Sequence, residues 1–95
     1  MERKNGQIEN LSENEYAIMD EIYFPTSFDA IVKNTKLSRE DVSSLLKNLL
    51  QKEFVHQMKF NETMNDYERC LDADYSHPET YLYVASKKGL LAHNM

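Results

Sequence analysis

Cys70, Asp72, Asp74, His77 and Glu79 fall within ten residues, and each of these side chains can ligate a metal. A built site needs donors repeated at a spacing that gathers them round one ion, such as CxxC or HxxxH. Neither spacing is present, and the mixture of soft thiol and hard carboxylate fits no common metal. No metal or cofactor is expected. His56, His77 and His93 have no evident nucleophile partner, and a chain with 2 glycines has no glycine-rich phosphate loop. The protein is therefore not expected to be an enzyme. Tyr81 and Tyr83 alternate on one face of a strand, where they could stack bases or pack as a half-buried strand requires.

Ninety-five residues make one domain with a modest core. A single cysteine excludes an internal disulfide and suits a reducing compartment. The first residues are followed by no apolar run, so neither signal peptide nor membrane span is expected, and the reading is cytoplasmic. The net charge of −5 is uneven. Residues 1–60 carry eight Lys/Arg against ten Asp/Glu, residues 61–80 carry Arg69 against six acids, and residues 81–95 carry Lys87 and Lys88 alone. A polyanion would be repelled by the 61–80 segment unless it points away.

The elements that must position these side chains follow from caps and periodicity. Residues 1–10 read as a flexible N-terminus, and residues 11–95 as the domain. Ser12 with Glu15 forms a capping-box spacing, and Leu11 is placed to staple onto Tyr16. Tyr16, Ile18, Met19, Ile22 and Tyr23 predict one buried stripe, stopped by Pro25. Thr26 with Asp29 repeats the box before Phe28, Ile31 and Val32, so a second helix is predicted from Thr26 or Ser27. A third runs from Ser38 to about Lys52, with Ser38 as cap and Asp41 placed to reach back. Val42, Leu46 and Leu49 share its inner face, flanked by Leu45 and Leu50. Glu40, Ser44, Lys47 and Gln51 lie opposite. Phe54–Phe60 and Tyr81–Ala85 read as antiparallel strands, with part of Tyr67–Leu71 joining them. Ser86 caps a last helix containing Leu90 and Leu91.

This order of elements resembles bacterial winged-helix domains of the broad MarR-like kind. The resemblance spans roughly Leu11 to Leu91 and is carried by residues 28–38, by 42–49, by Phe54-Val55 and by Val84-Ala85-Ser86-Lys87-Lys88-Gly89. It implies an α+β winged helix: a three-helix helix-turn-helix core, a two- or three-stranded β-wing and a short C-terminal helix. It also implies a DNA-binding transcription regulator whose third helix meets duplex DNA through Arg39, Glu40, Ser43, Ser44 and Lys47, with backbone contacts from Lys33, Lys36, Lys59, Lys87 and Lys88. The alternative for the same residues is a solvated helix face. Lys36 and Glu53 stand where such families often have glycine, so those turns need φ > 0 at a non-glycine residue or another geometry.

The acidic wing insert at 61–80 is the least family-like part, and it is expected to be held clear of phosphates. Its interleaved acids and tyrosines, over residues 62–79, suit a basic partner surface. The second functional reading is accordingly a winged-helix protein-interaction module using that insert or the leucine-rich flank. Leu45, Leu50, Leu90 and Leu91 are a candidate self-association surface, and a homodimer would give a DNA reader two half-sites.

Overall fold

The computed structural model describes residues 11–94, so the reading of residues 1–10 as flexible lies outside the described residues. The chain folds as α1 (Glu13–Glu21), β1 (Thr26–Ser27), α2 (Phe28–Thr35), α3 (Arg39–Gln51), β2 (Val55–Asn61), β3 (Asp66–Arg69), β4 (Leu82–Ala85) and α4 (Lys87–His93). A single 3-10 turn at Pro78–Thr80 precedes β4. It is an α+β protein of four helices and one antiparallel sheet, with strand order β1-β4-β2-β3.

Serine caps open all four helices. At α1 the box is complete: the Glu15 amide donates to Ser12 Oγ at 3.2 Å and the Ser12 amide donates to Glu15 Oε1 at 2.8 Å. Glu15 is buried, and Lys52 Nζ donates to its other oxygen at 3.3 Å, which ties α1 to the end of α3. At α3 the Asp41 amide donates to Ser38 Oγ at 3.0 Å, but the reciprocal carboxylate bond is not made, so the expected box is half formed. At α2 the cap is Ser27, not Thr26. The Thr26 hydroxyl instead donates back to the carbonyls of Glu21 and Phe24, and its backbone joins the sheet as β1, opposite Tyr83. That strand went unforeseen, and it gives the sheet a fourth member where two or three were expected.

The turns resolve the missing glycines. Lys36 closes α2 at φ 63° and Glu53 leaves α3 at φ 65°, both left-handed. Asn65 takes φ 54° in the β2–β3 turn, where Asn61 Oδ1 accepts from the Thr63 and Met64 amides. At Gly89 a side chain is forbidden by space. A Cβ there would land on the Phe54 carbonyl oxygen and within 2.9 Å of Met19 Cε, so α4 packs backbone to backbone on the turn between α3 and β2.

The core gathers Ile18 and Met19 of α1 with Ile22 just past its end, Phe28 and Ile31 of α2, Val42, Leu46 and Leu49 of α3, and Phe54, Val55 and Tyr83. Each such side chain contributes roughly 1.5–3 kcal/mol by leaving water. Leu45 and Leu50 pack against this core as well, so of the four leucines read as a self-association surface only Leu91 is strongly exposed, at 61%. Tyr23, assigned to the buried stripe, lies beyond the end of α1 and is exposed.

Candidate nucleic-acid interface

The outer side of α3 begins with Arg39 at its first turn and passes Glu40, Ser43 and Ser44 to Lys47. Arg39, Glu40, Ser44 and Lys47 are exposed and Ser43 is half-buried. Arg39 and Lys47 are eight positions apart, roughly 12 Å along the axis. The two serines between them keep the middle of the face low. The structure therefore brings these five residues onto one open helix side, a condition for any reading function there.

That side is not a free convex ridge. The chain returning from β3 to β4 runs beside it and is fastened there by side chains distant in sequence. Gln57, fully buried, donates through Nε2 to the Asp74 carbonyl at 2.8 Å and accepts from the Asp74 amide at 2.8 Å, as a strand neighbour would. Tyr83 donates its hydroxyl to the Pro78 carbonyl at 2.9 Å, and Tyr81 donates to Asp74 Oδ2 at 2.7 Å. Two adjoining hollows result. One, of about 230 Å³, lies among Ser43, Ser44, Lys47, Asp74, Tyr75 and Pro78; the other, of about 390 Å³, among Phe28, Arg39, Glu40, Ser43, Ser44 and Glu79. The return segment borders the α3 face as one wall of a trough and leaves its polar side chains accessible.

Both cations of the face already have partners within the chain. Arg39 Nη1 donates to Asp29 Oδ1 at 2.7 Å while its guanidinium lies 4.9 Å from the centre of the Phe28 ring. Lys47 Nζ sits 5.5 Å from the centre of the Tyr75 ring. Around them stand Glu40, Asp74 and Glu79. The Tyr81 hydroxyl, then the Ser76 amide, hold the Asp74 carboxyl below its ordinary value, so it is ionised at neutral pH. The same bond, with desolvation, pushes the Tyr81 phenol up to about 12. Burial takes Tyr83 to about 12 as well, which removes it from any role in stacking bases.

The lysines read as backbone contacts are all exposed and are spread over α2, β2 and α4. Lys33 lies in the last turn of α2, and Lys36 closes that helix two residues before the α3 cap. Lys59 lies opposite Glu68 on the β2–β3 hairpin. Lys87 and Lys88 open α4, and Lys88 Nζ approaches the Phe54 ring at 5.4 Å, beside the end of α3 remote from Arg39. Of the donors considered for metal, His77 Nδ1 comes within 3.8 Å of Asp74 Oδ2, and burial raises the pKa of the Cys70 thiol. No three such donors gather among the described residues. No described helix is long and apolar enough to cross a membrane.

Sequence reasoning missed Asp29 and the return segment as parts of the face. Asp29 had only its place in the first turn of α2 to mark it, and Gln57 carries no local signal. The alternating Tyr81 and Tyr83 were the one available hint, because buried phenol hydroxyls require partners. What the fold and this face define is an α+β domain with an accessible helix side walled by its own return segment. Comparison with protein-family models, with curated proteins and with solved structures finds no match for the chain.

Proposed function

We propose that the described residues form a winged-helix module in which α3 is the recognition helix for duplex DNA, in a non-enzymatic, cytoplasmic bacterial transcription regulator acting as a dimer. The connectivity supports the winged-helix part. In support are a short β1 before α2, the β1-β4-β2 order of the sheet and the return of β4 into α4, an element order that a winged helix also has. One observation carries the DNA part: Arg39, Glu40, Ser44 and Lys47 are exposed together on one side of α3, with Ser43 and Ser44 low between two cations. Arg39 and Lys47 are suited to guanine or phosphate, and Glu40 can accept from cytosine N4.

Fluorescence polarisation on random and genomic duplexes at low salt tests this. Binding is expected, and Arg39→Ala with Lys47→Ala should weaken it at least tenfold. Absence of binding at low salt, or indifference to both changes, would falsify the proposal.

A second reading has its own observation. On the β2–β3 hairpin Phe60 and Tyr67 face one another at 5.2 Å and are nearly half exposed, Met64 is 71% exposed, and the same hairpin carries the exposed acids Glu62, Asp66 and Glu68. This finger suits a partner protein with an apolar patch rimmed by Lys or Arg. Its test is Met64→Ser with Tyr67→Ser in a pull-down. A partner list unaffected by both changes removes it.

A further inference from the structure

We infer that Asp29 is a positioning residue that restrains the α3 face from general attachment to phosphate, by holding the Arg39 guanidinium against Phe28. The inference rests on the duplex-DNA reading above. Arg39 is the cation in the first turn of that face, and it is not free: Asp29 Oδ1 takes an Nη1 hydrogen at 2.7 Å and the ring of Phe28 lies beneath the guanidinium at 4.9 Å. Both partners come from the first turn of α2, so the contact joins the two helices of the helix-turn-helix pair.

A carboxylate and a phosphate oxygen compete for the same guanidinium hydrogens. The pair is open to solvent, with 57% and 73% of the two side chains exposed, so the contact is weak enough to be broken by a ligand. Until it is broken, Arg39 contributes no net charge to the face. Glu40 and Glu79, which line the same hollow, act in the same direction. The flat guanidinium stays aimed by the Phe28 ring, and its remaining donors face outward for a partner that presents acceptors in matching geometry. Asp29 thus trades indiscriminate affinity for selectivity.

The test compares wild type, Asp29→Asn, Arg39→Ala and the double variant on a random-sequence duplex across a salt series. Glu13→Gln, the same charge change on α1 outside the face, serves as control, and thermal melts verify folding. Asn keeps an acceptor while losing the charge. Asp29→Asn is expected to bind roughly two- to fivefold tighter than both wild type and Glu13→Gln, the range set by an exposed ion pair. Its salt slope should steepen by about 0.9, one more released counterion. In the Arg39→Ala background the substitution should have no further effect beyond that of the control. Equality of Asp29→Asn with the control, or a gain that survives loss of Arg39, overturns the inference while leaving DNA binding intact. If no folded variant binds the duplex at low salt, the duplex reading itself is overturned.

Discussion

Asp74 shows how one residue can fix a functional surface. Its backbone pairs with the buried Gln57 amide, one carboxylate oxygen accepts from Ser76 and the other from Tyr81. These bonds favour the ionised carboxyl in the fold, so its pKa lies below the unfolded value. The stability it contributes is complete above the ordinary carboxylate range and is lost as pH falls through the depressed pKa. Tyr81 and Tyr83 behave oppositely. Their pKa values are raised to about 12, so their contribution is intact below the ordinary phenol value of 10 and is lost between there and about 12. A phenolate absorbance titration should therefore show Tyr81 and Tyr83 ionising late, and Asp74→Asn should return Tyr81 toward the ordinary range. Two late tyrosines in that variant would mean that the Asp74 bond does not govern Tyr81.

Among the elements, the helices rest mainly on local signals and one close approach. Ser12, Ser38 and Ser86 cap the helices assigned to them because the bond each makes spans three residues. Lys36 and Glu53 adopt left-handed backbone without glycine, the first of the two outcomes open from sequence. Gly89 is different: its requirement comes from the Phe54 carbonyl, thirty-five positions earlier. Gly89→Ala should push α4 off the turn between α3 and β2 and lower stability by about 1–3 kcal/mol, read as a lower denaturant midpoint at unchanged slope. An unaltered midpoint would mean that α4 moves away without cost. The same helix carries His93, whose ring nitrogens lie 2.7 Å from Asp20 Oδ1 and 2.9 Å from Tyr23 Oη, so its far end is tied to α1 and the segment just after it.

For the whole molecule, charge and shape set the limits on what α3 can bind. The lysines at 59, 87 and 88 are carried by β2 and α4 and not by the helix-turn-helix pair, so fewer phosphates should be within reach than the lysine count suggests. The salt slope for duplex binding should then lie at roughly −2 to −4, with contributions from Arg39, Lys47, Lys33 and Lys36. A measured slope steeper than about −5 would mean that the remaining lysines also reach the duplex, contrary to their placement. Removing residues 62–79 wholesale is a poor probe of the acidic insert. It would take away Asp74 and Pro78, on which Gln57 and Tyr83 close, and expose a buried amide without partners. Point changes at Met64 and Tyr67 leave that clamp in place.

What the sequence determined by itself was governed by neighbours in the chain: the caps of α1, α3 and α4, the inner faces of α2 and α3, the alternation of β2 and β4 as strands and the polar side of α3. These rest on spacings of three or four residues or on alternation, which any unfolded segment already contains. The tertiary structure alone decided what stands beside the α3 face. Gln57 meets Asp74 seventeen positions away, Arg39 meets Asp29 ten away, and Thr26 enters the sheet opposite Tyr83. Such contacts depend on how elements pack, and packing follows from the shape of the whole core rather than from any local pattern.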